Sequence, residues 1–178
     1  MGFFVSIGDA LRSDNWDIIT LQQVSHLSVD YETYLPYITK LAEYVRLFCP
    51  NAKIMMHQTW AYEQGSKRLN EELGYLDQHD MFNALENAYE KAAKAISADG
   101  IIPCGKAMMQ AIDNGIGQIH RDTFHADLGV GRYMLGLVWY RALTGKMAEC
   151  KFNEFDVEAD EKQIAVAIKS VKEIFENY

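Results

Sequence analysis

Apolar and polar positions follow one another along the chain in two rhythms, one of strands and one of helices. "WDIITLQQ" at 16–23 is a short apolar run with two adjacent isoleucines behind the polar turn "RSDN", the pattern of a buried strand. In "YETYLPYITKLAEYVRLFC" the residues Tyr34, Tyr37, Ile38, Leu41, Tyr44, Val45 and Phe48 recur at helical spacing. That predicts an amphipathic helix with Pro36 in its first turn. "PNAKIMMHQTWAY" repeats the strand grammar after a Pro50-Asn51 turn, and Gly65 and Gly74 punctuate the connection to "MFNALENAYEKAAKAIS", rich in strong helix formers. "GIIPCG" predicts a minimal third strand and "KAMMQAIDNG" a short helix with a glycine stop. "LGVGRYMLGLVWYRALTG" predicts a helix to Gly145, and "EADEKQIAVAIKSVKEIFENY" a last one through Ile164, Ile168, Val171, Ile174 and Phe175. Strand and helix alternate, which predicts a parallel sheet with helices on both faces and ligands at the carboxyl ends of the strands. No repeat or low-complexity linker interrupts the order, so residues 1–178 read as one domain.

Composition narrows the function classes. A net charge of -8 and a pI near 5.1, with no Lys/Arg block, exclude a nucleic-acid polyanion as the expected partner. No run approaches the ~18 apolar residues of a membrane span, and the N-terminus lacks the basic flank of a signal peptide. The chain reads as soluble, with the compartment open: cytoplasmic, or exported if a leader precedes it. Cys49, Cys104 and Cys150 are odd in number and far apart, which predicts buried free thiols and no disulfide framework. No trio of His, Asp, Glu or Cys has metal spacing, so neither metal nor cofactor is expected.

Polar residues cluster after three of the predicted elements. They are Gln22, Gln23, Ser25 and His26 after the first strand, His57, Gln58, Thr59 and Trp60 after the second, and Arg121, Asp122 and His125 before the long helix. In a doubly wound sheet such loops can converge on one crevice. In Asp122-x-x-His125 the carboxylate can accept a hydrogen bond from one ring nitrogen while the other acts as a base. The same tetrapeptide also fits a helix-entry cap at Asp122 beside an ordinary surface histidine. His57 and Trp60 are candidates for a substrate-cleft wall or for core packing at a strand end. His26 and His79 read as solvent-facing and His120 as a flank of the loop. Gly129, Gly131 and Gly136 suggest close backbone packing or a late helix start, because glycine costs about 1 kcal/mol against alanine within a helix.

"WDIITLQQVSHLS", "PNAKIMMHQTWAY" and "RDTFHADLGVGRYMLGLVWYRALTG" resemble successive blocks of an SGNH (GDSL-like) hydrolase, in particular an uncharacterised domain family of that superfamily found largely in bacteria. The resemblance runs from about Leu11 to Gly145. It implies a three-layer, flavodoxin-like α/β/α fold and hydrolysis of esters, often acyl groups on carbohydrates. It implies His125 as base, Asp122 as its orienting partner, and a strand-end amide as oxyanion donor, Gln23 first and Gln22 second. Beside these, Arg121, His57 and Trp60 are the candidates for substrate binding by their place in the predicted crevice.

The resemblance also implies a nucleophilic serine in a Gly-Asp-Ser or Gly-Asn-Ser block, and a second block with an oxyanion glycine, both ahead of "WDIITLQQ". Only fifteen residues stand there. "FFVSIGDAL" offers Gly8-Asp9, but Ala10 stands where serine is needed and a methyl group cannot attack a carbonyl. The preferred reading makes "SIGDALRSDNWD" a pre-strand segment, the first block lying upstream of Met1 and the sheet incomplete at its N-terminal side. Ser6, Ser13, Ser25, Ser28, Ser66, Ser97 and Ser170 are the other serines. Ser25 and Ser28 lie nearest the crevice, and each reads as a turn or cap residue. Two functions follow as expectations: an esterase scaffold lacking its nucleophile, or a non-catalytic module binding a carbohydrate or partner on the same fold. Open sheet edge and helix faces would favour a homo-oligomer.

Overall fold

The computed structural model describes residues 5–148 and 157–176. Its centre is a three-stranded parallel sheet in the order β1 (Ile18–Leu21), β2 (Lys53–His57), β3 (Gly100–Ile102). Ile18 pairs with Lys53 and Leu21 with Met56; Met55 pairs with Gly100 and His57 with Ile102. Side chains on β2 alternate between two cores, as strand geometry requires. Ile54 and Met56 enter a core built with α2 (Tyr37–Phe48) and α3 (Gln78–Ala95), while Met55 packs against a second core formed by α4 (Cys104–Asp113), α5 (Val130–Thr144) and α6 (Glu161–Glu176). Helices therefore cover both faces, as the alternating pattern predicts. Fully buried side chains such as Leu85, Met81 and Met134 each contribute about 1.5–3 kcal/mol of hydrophobic stabilisation.

Where element bounds differ from expectation, local chemistry explains it. The helix expected from 31 is broken into a 3₁₀ turn at Tyr31–Tyr34 and α2 from Tyr37. Leu35 before Pro36 takes extended backbone (φ -92°, ψ 145°), since proline crowds the helical conformation of its predecessor. The third strand stops at Ile102 and α4 opens at Cys104, because Pro103 suits a helix entry and cannot donate to a ladder. α3 starts at Gln78, where the Asp77 carboxylate accepts from His79 N.

"SIGDAL" is not a strand. It forms a short helix, α1 (Ile7–Arg12), capped by Ser6, whose Oγ accepts from Asp9 N. Asp9 pairs with Arg12 at 2.9 Å, so Gly8-Asp9 lies on a helix turn and not at the end of a strand. Cys49 and Cys104 are buried free thiols, and burial pushes the Cys104 thiol up to about 12; Cys150 lies outside the described residues.

Candidate functional site

β1 and β2 end on polar residues, Gln22 and Gln23 after the first and His57, Gln58 and Thr59 at the second, and the loop before α5 folds back toward these ends. The loop closes on itself through an antiparallel bridge between His120 and Ala126, with Arg121 N donating to His125 O at 2.8 Å and Asp127 N to Ile119 O at 2.9 Å. Three further bonds tie it to the segment after β2. Glu63 N donates to Thr123 O at 2.8 Å, Trp60 Nε1 to Phe124 O at 2.8 Å, and His120 Nε2 to Ala61 O at 3.0 Å. His120 is thus a buried tether and not a mere flank, and burial lowers its pKa. Thr123 holds φ at 73°, a conformation disfavoured for a β-branched residue. Such strain persists only where the surroundings over-determine it, and it clusters at working sites. Nothing in the sequence marked Thr123.

That loop presents the acid and histidine as a pair. His125 Nδ1 lies 2.8 Å from Asp122 Oδ2 and 3.1 Å from Oδ1, while His125 N donates to Oδ1 at 2.9 Å. Bonds from the ring and from the backbone N–H hold the Asp122 carboxyl down at about 2. The reading of Asp122 as a helix-entry cap does not hold. Asp127 caps α5, its Oδ1 accepting from Gly129 N and its Oδ2 from Gly131 N, both at 2.7 Å. A Cβ at residue 131 would lie 2.6 Å from Asp127 Oδ2, which explains that glycine by close packing; Gly136 has no such neighbour.

His125 opens onto a cleft of about 350 Å³ lined by Gln22, Val24, Ser25, Thr59, Trp60 and Phe124. The Phe124 ring rests against His125, centroids 3.8 Å apart, and the Arg68 guanidinium carbon lies 3.9 Å from the Phe124 ring centroid. The structure therefore brings Gln22, Trp60 and His125 together. Gln23 goes elsewhere. Its Nε2 donates to Thr33 O at 3.0 Å and Oγ1 at 3.3 Å, its Oε1 accepts from Val24 N, and it lines a neighbouring hollow with Tyr34, Tyr37 and Leu41. Gln22 borders both hollows, and of the two glutamines it alone lines the His125 cleft. Arg121 stays beside Asp122, Nε 3.5 Å from Oδ2, and is not part of the cleft lining.

His57 is not a cleft wall. It sits behind Gln22, its Nδ1 2.6 Å from Gln22 Oε1, with Trp139 edge-on at 5.2 Å. Among the described residues its buried Nε2 has no hydrogen-bond partner, and burial lowers its pKa. His26 and His79 are exposed as expected, and His79 also bridges Asp77 at 3.1 Å and Asp113 at 2.8 Å.

No serine among the described residues hydrogen-bonds to His125. Ser25, in the cleft, shares a hydrogen bond with the Tyr62 hydroxyl at 3.0 Å. Ser28 is buried and donates to Ser25 O. Ser6 and Ser66 cap turns, while Ser13 and Ser170 donate to backbone carbonyls of their own helices.

Residues 3–171 match the family of the domain of unknown function DUF4886. No curated protein matches the sequence. Among solved structures, a DUF4886 family protein from Bacteroides uniformis ATCC 8492 superposes with a TM-score of 0.84 at 29% identity, over 96% of this chain and 66% of that one. The chain therefore spans just under two thirds of that relative's length. A candidate SGNH hydrolase from Slackia heliotrinireducens superposes with a TM-score of 0.60 at 23% identity, over 75% of this chain and 69% of the other. A candidate GDSL-like lipase from Parabacteroides merdae ATCC 43184 gives 0.57 at 18% identity, over 73% and 61%. The sheet flanked by helices is the fold of these SGNH and GDSL-like neighbours, and by its sequence the chain belongs to the DUF4886 family.

Proposed function

We propose that the cleft is the base and oxyanion half of an SGNH-type serine hydrolase site acting on carboxylic esters, with acetyl esters of carbohydrates as the leading substrate class. The observation that carries the reading is the His125 ring, fixed by Asp122 at 2.8 Å and opening onto the same cleft as the Gln22 amide. With Nδ1–H committed to the carboxylate, Nε2 is the acceptor that takes a proton from an attacking hydroxyl. Asp122 holds the tautomer and stabilises the imidazolium. The Gln22 NH2 donates to the oxygen that becomes negative as the carbonyl is attacked. Trp60 supplies an apolar wall of the kind on which a sugar ring stacks. The likeness in fold to the Slackia and Parabacteroides proteins supports the class of reaction.

Because no described serine engages His125, the 178-residue chain by itself is expected to hydrolyse p-nitrophenyl acetate barely faster than buffer. The test is to supply the missing hydroxyl. With methanol added, its oxygen attacks the carbonyl carbon as His125 Nε2 removes its proton. The tetrahedral oxyanion collapses, the C–O bond to the phenol breaks, and methyl acetate and p-nitrophenol are released. Methanol-dependent cleavage that saturates in ester and vanishes in His125→Ala is the expected result. Cleavage unchanged by that substitution, or a fast reaction without methanol, would refute this account.

The absence of a serine bonded to His125 among the described residues also favours a second reading, a non-catalytic carbohydrate- or partner-binding module in the same cleft. A glycan array separates the two: binding that depends on Trp60 without any methanol-rescued cleavage supports the module, and a silent array counts against it.

A further inference from the structure

We propose that His57 is a positioning residue, its Nδ1–H gripping the Gln22 carbonyl oxygen and so committing the Gln22 amide nitrogen to the cleft as a hydrogen-bond donor. The inference deepens the hydrolase reading above and rests on it. A glutamine amide can present either its oxygen or its NH2, the two ends being almost the same shape. Only the NH2 end stabilises an oxyanion; the oxygen end would repel it. Something must choose between them.

The choice lies in the His57 ring. At 2.6 Å from Gln22 Oε1, which only accepts, Nδ1 must carry the proton. The opposite arrangement, with the Gln22 nitrogen donating to Nδ1, needs the other tautomer and would put an N–H at Nε2. Nε2 is buried with no partner among the described residues. An orphaned buried N–H is rarer and more costly than an under-satisfied acceptor, so the buried environment selects Nδ1–H. Burial also disfavours a second proton and keeps the ring neutral.

The ring is held as a positioning group needs to be. His57 closes β2, paired with Ile102 of β3, and Trp139 of α5 stands edge-on against it. Next along the chain, Gln58 Oε1 accepts from Lys106 N at 3.0 Å, so the strand end cannot drift from α4. A group on a strand, backed by packing, holds its partner more tightly than one on a loop. The unpartnered Nε2 then has a reason to persist, since filling it with a polar neighbour would remove the preference for one tautomer.

Long-range ¹H–¹⁵N NMR of the whole chain tests the assignment directly. His57 is expected as a single Nδ1–H tautomer, and the Gln22 side-chain NH2 pair is expected to shift on titration with acetate. In methanol-rescued cleavage of p-nitrophenyl acetate, His57→Leu is expected to lower kcat by about 10- to 100-fold with KM unchanged. His57→Asn, whose amide nitrogen falls where Nδ1 lies, is expected to restore most of it. Leu at 57 combined with Gln22→Ala is expected to be no worse than Gln22→Ala alone. An Nε2–H tautomer, or losses at 57 and 22 that multiply, would overturn the proposal. If wild type shows no rescue at all the hydrolase reading fails, while the tautomer and the acetate shift at Gln22 still decide whether His57 aims the amide.

Discussion

Replacing Gly105 by alanine would put a Cβ 2.2 Å from Thr59 O and 3.1 Å from Gln58 Oε1, closer to the backbone oxygen than real Cβ atoms come. The segment after β2 must therefore retreat from α4 by about 1 Å within a close-packed interior. Overpacking of this kind costs about 1–3 kcal/mol, and stretching the Lys106 N to Gln58 Oε1 bond, 3.0 Å in the native arrangement, removes about 1 kcal/mol more. Alanine returns at most about 1 kcal/mol of helix propensity, less in a first turn. A net loss of about 1–4 kcal/mol follows, which for a chain of this size lowers Tm by about 2–16 °C. Gly136 of α5 is the control, because it is exposed and a Cβ there meets none of the described residues within 4 Å. Gly136→Ala is expected to raise Tm by about 2–4 °C. Thermal unfolding followed by far-UV circular dichroism measures both. If Gly105→Ala melts with wild type, the β2–α4 contact is not the rigid seat for Gln58, Thr59 and Trp60 that the geometry indicates.

Asp122→Asn is expected to lower methanol-rescued cleavage by about 10²–10⁴, because an amide does not hold the His125 tautomer that leaves Nε2 free to accept. Asp122 is held below its ordinary 3.8, at about 2, so its contribution to stability is present above 3.8 and lost as pH falls through about 2; acid denaturation of Asp122→Asn is expected to be correspondingly flatter in that window. His79 is shifted the other way, raised from 6.5 chiefly by its hydrogen bond to Asp113 and then by Asp77. Its contribution is fully present below 6.5 and lost as pH rises through the raised value, so a Tm difference between wild type and His79→Gln at pH 5.5 that failed to shrink by pH 8.5 would contradict the assignment. β1 pairs with β2 on one side only among the described strands, and light scattering is expected to show a homo-oligomer; a mass equal to one chain would count against it.

Periodicity carried most of the fold. Apolar runs at Ile18–Leu21 and Lys53–His57, set between helical stretches, point to a parallel sheet covered by helices, because strands joined through helices pair in parallel and bury their apolar side chains under those helices. Local caps were less legible. Asp122 and Asp127 both stand ahead of α5, and only the folded loop assigns the first to His125 and the second to the backbone of Gly129 and Gly131. Thr123 was invisible because its strained φ is imposed by bonds to Glu63 and its neighbours, which lie far away in sequence.

The choice between Gln22 and Gln23 turns on strand parity, and it shows what a sequence can supply once a sheet is granted. Adjacent residues on a strand face opposite sides, so naming the wrong one of two glutamines is an error of a whole face. Leu21 pairs with Met56, and both reach the core of α2 and α3. One step further on sets Gln22 beside His57, on the side where Met55 packs against the second core and Trp139 of α5 meets the His57 ring. The Asp122-x-x-His125 loop runs directly into α5, so the residue able to meet it must share the face of Met55 and His57. By that parity the glutamine that shares the cleft of His125 is Gln22, and Gln23, turned toward Thr33 and α2, is expected to be replaceable in Gln23→Met with no effect on rescued cleavage. Loss of cleavage in that variant, with Tm unchanged, would mean that the strand end carries two working amides and that the parity argument stops one residue too early.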